Sequence, residues 1–388
     1  MNHDIVIIGA GIAGASLAWH LVHRASSTAA ARVLLLERES QPGMHATGRS
    51  AAMFMESYGP PQVRALTRAS RAFYTQPPSG FTDAPLISPR GAMYVAAPEQ
   101  HALLDEMWTQ MRADGLDVER LDPAQTLARV PVLRPDRVLG SIVEPDAQDL
   151  DVHATHQGFL RGFRARGGEL RCNAELMEGQ FDDRDGGGDE RRWTLRLADG
   201  RTLHAATLVN AAGAWVDEVA RRCGVPPLDF EPRRRSAFTF DAPAGIDISA
   251  WPAIAGIDES WYFKPDAGRL LGSPANADPT HPHDVQPEVL DIATGIYRIE
   301  EATTITIRRP ASTWAGLRTF SRDGEMVIGR HAGCDAFFWL AGQGGYGIQS
   351  APGAGVLAAG LLEGGGVPKA LVAHGVDARA LSPRRFKG

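Results

Sequence analysis

The sequence is poor in cysteine and has no excess of positive charge. Its 388 residues include only three cysteines, Cys172, Cys223 and Cys334, which lie far apart without a C-x-x-C pair. This excludes a disulfide framework and a cysteine-rich metal site, and we expect a reducing, cytoplasmic compartment. The formal net charge is −6, so no basic stripe is available for nucleic acid and we expect no nucleic-acid partner.

Long apolar runs and metal-ligand clusters are also missing. No stretch approaches the roughly 20 apolar residues that cross a bilayer, so we expect no transmembrane segment. The twelve histidines have no ligand spacing; the segment HPHD at residues 281–284 is interpreted as a loop, and no metal is predicted. With 44% hydrophobic and 22% charged residues, the composition is typical of a globular protein large enough for two domains.

The N-terminal stretch DIVIIGAGIAGASLAWHL predicts a nucleotide-binding β-α-β unit. An apolar strand at residues 4–9 precedes a helix at about 11–24, and a strand at 32–39 completes the unit. A G-x-G-x-x-G motif lies between the first strand and the helix, where it permits a tight turn, close approach to a pyrophosphate and close packing of helix on strand. Its glycines are Gly9, Gly11 and Gly14.

Three separated segments together favour FAD over NAD. Glu37 ends the second strand, where a carboxylate can accept hydrogen bonds from ribose hydroxyls and would repel a 2′-phosphate. The small, hydroxyl-rich stretch HATGRSAAMF at residues 45–54 has no use in a nicotinamide-binding fold. The turn GQGGYGIQ at 342–349 offers backbone N–H groups and a helix N-terminus to a flavin edge that gains negative charge on reduction.

Helical and strand-rich segments alternate along the chain. ISPRGAMYVAA (87–97) predicts a strand, residues 101–115 predict a helix, and DDRDGGGDERR (182–192) predicts a polar hairpin tip. Residues 231–319 are rich in predicted strands, among them ATTITIRRP at 302–310. The predicted class is α/β, a Rossmann-like FAD-binding domain of the glutathione-reductase type with a β-sheet-rich substrate domain inserted in two segments. The predicted FAD-binding segments are 1–86, 149–230 and 318–388, and the predicted substrate-domain segments are 87–148 and 231–317.

Motifs spread along the chain carry a family resemblance. They include GAGIAGAS, LERESQPGMHATGRSAA, LVNAAGAW, YFKPDAG, LLGSPANADP, TWAGLR and QGGYGIQ. With them the chain resembles the FAD-dependent D-amino-acid oxidase and glycine oxidase superfamily over essentially its whole length, and it is most similar to bacterial D-arginine dehydrogenases. The resemblance implies a flavin ring at the junction of the two domains. It implies FAD contacts from Gly9, Gly11, Ala13, Gly14, Glu37, Arg38, His45, Ala46, Thr47, Gly48, Arg49, Ser50, Ala51, Ala52, Met53, Leu176, Ala212, Gly213, Gly344, Gly345, Tyr346, Gly347, Ile348 and Gln349.

The same resemblance implies a small-molecule amino-acid substrate. Two arginines and two tyrosines match the positions that bind its carboxylate, and such groups can hold a carboxylate by several hydrogen bonds. The implied reaction is oxidative deamination of a D-amino acid, with hydride transfer to flavin N5 and hydrolysis of the imine to a 2-oxo acid and ammonia. The implied catalytic residues are Tyr58, Arg235, Tyr262 and Arg318.

The side-chain pocket departs from the D-arginine dehydrogenase pattern. Ala92 stands where those enzymes have a glutamate that faces the guanidinium group, and Met53 replaces a histidine. Ala253 and Ala255 replace two bulkier apolar residues. We therefore predict a preference for large apolar or aromatic D-amino acids over D-arginine, unless another acid such as Glu56 has taken the missing role. The predicted pocket residues are Met53, Ala92, Ala253, Ala255, Gly345 and Gln349.

Non-covalent FAD is predicted, because Cys334 lies too close to the last glycine-rich turn to match the cysteine that holds flavin covalently in related sarcosine oxidases. The resemblance leaves open which acceptor reoxidises the flavin: a quinone, a partner protein or an artificial dye rather than a bound NAD. It also leaves two alternatives for the activity. One is a secondary- or cyclic-amine oxidase of the sarcosine type on the same scaffold, and the other is a non-catalytic flavoprotein subunit.

Overall fold

The computed structural model describes residues 2–24, 32–182 and 192–386, so most of the polar turn predicted at 182–192 lies outside the described residues. The first strands are β1 (Asn2–Ile8), β2 (Val33–Leu36), β3 (Met53–Phe54), β4 (Ile87–Pro89), β5 (Ala92–Ala96), β6 (Glu119–Leu121), β7 (Gly140–Glu144) and β8 (Gln148–Leu150). They are followed by β9 (Glu169–Arg171), β10 (Leu176–Asp182), β11 (Arg192–Leu197), β12 (Thr202–Asn210), β13 (Glu231–Phe240) and β14 (Ala253–Gly256). The last strands are β15 (Tyr262–Asp266), β16 (Arg269–Ser273), β17 (Asp278–Pro279), β18 (Ser312–Phe320), β19 (Val327–His331) and β20 (Cys334–Ala341).

The α-helices in the described residues are α1 (Ile12–Arg24), α2 (Pro61–Thr75), α3 (His101–Ala113), α4 (Pro123–Arg129), α5 (Val152–Ala165), α6 (Val216–Arg222), α7 (Val289–Ala302), α8 (Ala351–Leu362), α9 (Lys369–Val372) and α10 (Ala378–Leu381). Short 3-10 helices span Pro135–Arg137, Gly213–Trp215 and Pro383–Arg385. Within these ranges no helix combines the length and the apolar character needed to cross a membrane.

The first sheet joins strands from three distant parts of the chain. Its parallel centre runs in the order β9-β2-β1-β12. The remaining edge of β12 is shared, because β11 pairs with its first half and β20 pairs with its second half. Ile8 lies opposite Leu36 in the ladder, so the glycine-rich turn after β1 and the acidic residue after β2 emerge at the same carboxyl edge, where ligands bind in such sheets.

Helices α1, α5 and α8 pack together against one face of this sheet. Small residues let α1 and α8 approach closely: a Cβ atom on Gly355 would lie only 2.4 Å from the Ser16 hydroxyl oxygen. The Ser16 hydroxyl instead donates a hydrogen bond of 2.7 Å to the carbonyl of Ala351. A second apolar cluster covers the opposite face, which explains why β1 and β2 are continuous apolar runs rather than alternating ones.

The second sheet has the order β17-β13-β16-β15-β14-β5-β7-β6, and β18 pairs along the other edge of β13. Its pairs are antiparallel except for β5 with β14, which are parallel and place Ala92 opposite Ala253. A small third sheet, β3-β8-β4, places Met53 opposite Asp149. The mixed α/β class predicted from the sequence is confirmed by these sheets and helices.

The strand predicted at residues 87–97 is two strands in two different sheets. β4 belongs to the third sheet and β5 to the second. Gly91 between them has a φ of +75°, a left-handed conformation that glycine adopts without steric cost. The chain uses this residue to pass from one sheet to the other.

The strand predicted at residues 302–310 is wrong, and helix α7 before it was not predicted. Ile305 and Ile307 are buried, as their alternation indicated. Their N–H groups, however, bond to the Thr303 hydroxyl (3.2 Å) and the Glu300 carboxylate (2.6 Å). Side chains therefore satisfy the backbone donors that a neighbouring strand would otherwise have taken.

Candidate active site

A long cleft of about 1590 Å³, open solvent included, runs along the carboxyl edge of the first sheet and reaches strands β13, β15 and β18 of the second. We call it the cofactor cleft. The turn after β1, the segment 43–51 and the glycine-rich turn at 343–348 all contribute to its wall. The structure thus brings together the three segments from which the sequence predicted a long cofactor.

Side chains hold the turn after β1 in place. The Glu37 carboxylate accepts from the backbone N–H of Ala10 (3.1 Å) and of Glu39 (3.1 Å), and burial raises the pKa of this carboxyl. The Thr47 hydroxyl accepts from the N–H of Ile12 at 3.0 Å. These bonds orient an acidic group and the start of α1 toward the same part of the cleft.

The cleft has the close backbone approaches that a dinucleotide site requires. A Cβ atom on Gly14 would lie 2.0 Å from the carbonyl oxygen of Gly9, so glycine is needed for α1 to begin directly behind β1. Gly11, Ala13 and Glu37 line the cleft beside this helix start, where the partial positive charge of a helix N-terminus suits a pyrophosphate. The residues present therefore fit FAD: Glu37 would bind its ribose, and the turn at 343–348 would lie at its flavin end.

Trp215 forms an aromatic wall of the same cleft. The Arg38 guanidinium lies 4.8 Å from the centroid of the Trp215 ring, and the centroid of the His45 ring lies 4.6 Å from it. His45 Nε2 contacts the Glu39 carboxylate at 2.9 Å. These contacts hold Arg38 and His45 beside the cleft.

Arg49 also lines the cleft, but its guanidinium is bonded to the protein. It donates to the carbonyl oxygens of Val285 (2.9 Å) and Ala315 (3.1 Å) and pairs with Asp284. In return, the indole of Trp314 donates to the Arg49 carbonyl at 3.1 Å. Arg49 therefore ties the segment after β2 to the second sheet, in addition to its predicted place at the cofactor.

A second cavity of about 880 Å³, the inner cavity, adjoins the cofactor cleft. It extends over the face of the second sheet formed by β5, β14 and β15. The residues that line both spaces, and so mark their junction, are Ser50, Ala51, Arg235, Tyr262, Arg318 and Gly345.

Strand alternation explains why two arginines meet at this junction. Arg235 of β13 lies directly opposite Gly316 of β18, and residues opposite each other share a face of the sheet. Arg318 is two residues beyond Gly316 on the same strand, so its side chain points to the same face as Arg235. A Cβ atom on Gly345 would lie 2.8 Å from Arg318 Nη1, so this glycine leaves room for the Arg318 guanidinium.

Phenol groups surround the two guanidinium groups. Arg318 Nη1 donates to the Tyr58 hydroxyl at 3.2 Å, and Arg235 Nε donates to the carbonyl of Asn276 at 2.6 Å. Burial and the neighbouring charge of Arg318 lower the pKa of Arg235. Burial alone would raise the pKa of Tyr262, but the charges of Arg318 and Arg235 outweigh it and the pKa is lowered. The junction therefore has a positive potential that suits a carboxylate.

A row of three side chains crosses the floor of the inner cavity. Ala92 of β5 lies opposite Ala253 of β14. The antiparallel register of β14 with β15 places Lys264 on the other side of Ala253. The buried Lys264 ammonium contacts the Asp149 carboxylate at 2.7 Å, and Arg90 contacts the other oxygen of that carboxylate at 2.7 Å. Two cations therefore share one anion at the end of the alanine floor.

Glu56, the alternative considered for the missing glutamate, lies elsewhere. Glu56 is held by Arg71 at 2.5 Å and does not line the inner cavity. Glu259, in the turn between β14 and β15, does line it, and this exposed residue forms no ion pair with the other described residues. Glu259 is thus the acidic residue among the described residues that line the inner cavity, and its position was not predicted.

The family model for FAD-dependent oxidoreductases (DAO) matches residues 4–361 of the chain. The chain belongs to this family. FAD is accordingly its cofactor, in agreement with the sequence prediction and with the shape of the cofactor cleft.

Known proteins similar to this FAD-dependent oxidoreductase differ in their substrates. It is 26% identical to the FAD-dependent oxidoreductase domain-containing protein 1 of Bos taurus, over 93% of this chain and 81% of that one. It is 28% identical to an L-2-hydroxyglutarate dehydrogenase of Escherichia coli, over 58% of this chain and 51% of that one. The structure of glycine oxidase from Geobacillus kaustophilus superposes with a TM-score of 0.79 at 21% identity, covering 95% of this chain and 99% of that one; this likeness shows the fold.

Most of the predicted FAD-binding residues line the cofactor cleft of this oxidoreductase. They are Gly9, Gly11, Ala13, Glu37, Arg38, His45, Ala46, Thr47, Arg49, Ser50, Ala51, Leu176, Ala212, Gly213, Gly344, Gly345, Gly347 and Ile348. Ala52, Met53 and Gln349 line the inner cavity instead, and Tyr346 lines an outer cavity beside α3. Gly14 and Gly48 lie behind the cleft, packed on the carbonyl groups of Gly9 and Gly43.

The predicted substrate residues are brought together in one place. The inner cavity is lined by Tyr58, Arg235, Tyr262, Arg318, Met53, Ala92, Ala253, Ala255, Gly345 and Gln349. In the part of the chain that the structure describes, no group of three or more potential ligands could hold a metal ion.

Sequence reasoning missed two charged groups of this cavity, Lys264 and Glu259. Lys264 could have been found, because it follows Tyr262 by two positions in one strand and must share its face. The sequence contains no such signal for Glu259. This residue lies in a turn, where it has a φ of +54°, and the conformation of the turn brings it to the cavity. Its placement depends on tertiary structure alone.

Proposed function

We propose that the protein is an FAD-dependent dehydrogenase of D-amino acids, similar to bacterial D-arginine dehydrogenases. The observation that carries the proposal is the pair of guanidinium groups, Arg235 and Arg318, at the junction of the cofactor cleft and the inner cavity. Neither has an acidic partner among the ion pairs of the described residues. Two neighbouring cations favour an anionic ligand, and planar guanidinium groups suit a carboxylate.

Each member of this carboxylate clamp has a role. Arg235 and Arg318 would bind the substrate carboxylate, and the hydroxyl groups of Tyr58 and Tyr262 would add hydrogen bonds. A carboxylate held at the junction directs Cα toward the cofactor cleft and the side chain into the inner cavity. The chain's contribution is mainly this orientation.

Bound FAD supplies a two-electron acceptor. The substrate loses a hydride from Cα and a proton from nitrogen as its C=N bond forms, and water then converts the imine to a 2-oxo acid and ammonia. No side-chain base is required if the amine binds in its neutral form. We further propose that FAD is held non-covalently, that a quinone, partner protein or dye rather than bound NAD reoxidises it, and that the protein is cytoplasmic.

The floor of the inner cavity supports a preference for apolar D-amino acids. Ala92, Ala253 and Ala255 leave space there, and Met93 and Trp261 add apolar walls. Each further methylene buried in such a space contributes about 0.8 kcal/mol. A D-leucine or D-phenylalanine side chain would use this space.

Lys264 favours a second candidate, a substrate with a second carboxylate. Lys264 shares the Asp149 carboxylate with Arg90. The cluster of two cations and one anion therefore has a net charge of about +1. A side-chain carboxylate reaching over the alanine floor would neutralise it. The similarity to an L-2-hydroxyglutarate dehydrogenase points to the same substrate chemistry.

An anaerobic flavin-reduction screen tests the proposal. The panel contains the D and L forms of leucine, phenylalanine, arginine, glutamate and glutamine, together with sarcosine, proline and 2-hydroxyglutarate. We expect D-leucine and D-phenylalanine to bleach the flavin fastest and to release one ammonia per flavin reduced. The second candidate would be supported if D-glutamate reduced the flavin faster than D-glutamine did. This difference should be lost in Lys264→Met and retained in the exposed control Lys369→Met.

Other outcomes would replace the proposal. Reduction by sarcosine or proline alone, with an amine rather than ammonia as product, would favour the secondary-amine oxidase. No reduction by any compound would favour a non-catalytic flavoprotein subunit.

A further inference from the structure

Residues 55–58, which we call the Tyr58 loop, connect β3 to the segment before α2 without regular secondary structure. One buried side chain holds each side of this loop. On one side, Gln349 accepts from the N–H of Met55 (3.3 Å) and donates to the carbonyl of Tyr58 (3.3 Å). On the other side, the Glu144 carboxylate accepts from the N–H of Glu56 (3.1 Å) and from the Ser57 hydroxyl.

Glu144 is an unusual residue for this place. It ends β7, it is only 2% exposed, and no cation pairs with it among the ion pairs of the described residues. Its two oxygens face donors of the Tyr58 loop, and burial raises the pKa of its carboxyl. A buried carboxylate without a cation is costly unless its hydrogen bonds are retained, so the folded state favours the loop conformation that supplies both donors.

The loop conformation decides where the Tyr58 hydroxyl lies. That hydroxyl accepts from Arg318 at 3.2 Å, and the Tyr58 ring packs edge-on against Tyr346 with 4.8 Å between centroids. A shift of the loop backbone would move the hydroxyl away from the carboxylate clamp, since Tyr58 is the clamp member carried by irregular structure. The other three members lie on strands of the second sheet.

We propose that Glu144 is a positioning residue, which places the Tyr58 hydroxyl against Arg318 by gripping the two residues before Tyr58. The inference rests on the proposed function, because it gives Glu144 its role through the carboxylate clamp. Glutamate suits the position better than glutamine does, because both of its oxygens accept hydrogen bonds, whereas an amide offers one acceptor and one donor.

The test measures carboxylate binding without turnover. Benzoate, an inert aromatic carboxylate, is titrated into the FAD-loaded protein and its Kd is read from the change in flavin absorbance. We expect Glu144→Gln and Ser57→Ala each to weaken benzoate binding about 5- to 50-fold, as the loss of one or two hydrogen bonds would. Glu119→Gln, an exposed change in the neighbouring strand β6, is the control and should leave the Kd unchanged.

A double-mutant cycle tests whether Glu144 acts through Tyr58. Tyr58→Phe should weaken benzoate binding by itself, and adding Glu144→Gln to it should cause little further loss. With an amino acid that reduces the flavin, both single variants should raise KM more than they lower kcat. Multiplicative losses in the double variant, or an unchanged Kd in Glu144→Gln and Ser57→Ala, would overturn the proposal.

Failure of the proposed function gives a different result. If benzoate binds as expected but no amino acid reduces the flavin, the proposed function is wrong while the role of Glu144 stands. If the wild-type protein does not bind benzoate, the carboxylate clamp and the role of Glu144 are both wrong. Should Glu144→Gln not fold, Ser57→Ala decides the outcome, since it removes one bond to the same carboxylate.

Discussion

At the scale of single residues, the carboxylate clamp depends on two guanidinium groups whose environments differ. Burial and the charge of Arg318 lower the pKa of Arg235. Burial also acts to lower the pKa of Arg318, but the nearby phenols of Tyr58 and Tyr262 outweigh it and the pKa is raised. Because an arginine side chain stays charged at neutral pH, the two groups repel each other, and an anion that binds between them relieves this repulsion.

Replacing Arg318 with methionine tests this arrangement. Arg318→Met should retain FAD but lose about 2 to 5 kcal/mol of carboxylate binding, because a desolvated charge partner disappears. Benzoate titration and anaerobic flavin reduction measure the loss. Arg322→Met, which removes an exposed arginine paired with Asp229, is the control, and equal behaviour of the two variants would show that the carboxylate binds elsewhere.

The alanine floor makes a separate prediction about specificity. Ala92→Glu should raise the kcat/KM ratio of D-arginine to D-leucine by about 10- to 100-fold, because a charge-assisted hydrogen bond contributes about 1.5 to 3 kcal/mol. Ala92→Gln is the matched control, since it adds nearly the same volume without the charge. A wild-type protein that already prefers D-arginine over every apolar D-amino acid would contradict the prediction and direct attention to Glu259.

At the scale of elements, local sequence patterns predicted the β-α-β unit closely but failed where tertiary partners decide. The predicted first strand and helix agree with β1 (Asn2–Ile8) and α1 (Ile12–Arg24) within two residues at each end. The strand predicted at 302–310 failed because alternation of Ile305 and Ile307 reports burial, not the hydrogen-bond partner. Helix α7, which precedes this segment, was not predicted. Its first residues, Val289 and Leu290, are apolar but exposed, so the apolar residues of its N-terminal turn do not form the stripe toward the core that indicates a helix.

Helix α1 also carries a pH-dependent contribution to stability. Burial lowers the pKa of His20 to about 3, and its Nε2 has no hydrogen-bond partner in the described structure. The folded state therefore holds the ring neutral, whereas the unfolded chain binds a proton below about pH 6.5. Stability is fully present above pH 6.5 and falls by about 1.4 kcal/mol per pH unit as the pH decreases toward 3.

Substitution of this residue should flatten the pH dependence. Between pH 7 and pH 5, His20→Leu should lose about 2 kcal/mol less stability than the wild-type protein, measured by denaturant unfolding of the FAD-loaded protein. His101→Leu, at the exposed start of α3, should follow the wild-type curve. Parallel curves for all three proteins would show that His20 is not held neutral in the fold.

At the scale of the whole molecule, Arg49 joins the two parts of the fold around the cofactor cleft. It bonds to carbonyl groups at Val285 and Ala315, and Trp314 bonds back to its own carbonyl. Arg49→Met should lower the free energy of unfolding by about 1 to 3 kcal/mol, because buried carbonyl groups lose their donor. It should also release FAD more readily, because the cleft lies between the parts that Arg49 connects.

Thermal unfolding and the fraction of FAD retained after extensive dialysis measure these two effects. Arg32→Met removes an exposed ion pair with Asp4 and is the control. If Arg49→Met matched that control in both measurements, the contacts of Arg49 would contribute nothing to holding the parts together.

The amino-acid sequence by itself determined the nucleotide-binding unit and the need for FAD. These depend on local signals: apolar runs, glycines at fixed spacing and an acid at the end of β2. The family's motifs also identified the side chains that line the junction, including Arg235 and Arg318.

Only the tertiary structure decided which charges share the inner cavity. The parallel pairing of β5 with β14 joins segments far apart in the chain, and it places Ala92 and Ala253 in one row with Lys264. The same non-local packing turns Glu56 toward Arg71 and brings Glu259 and Glu144 to the region of Tyr58. Alternation along a strand reports which residues share a face, but the identity of the neighbouring strand depends on the packing of the whole chain, and so does the set of side chains that surrounds a substrate.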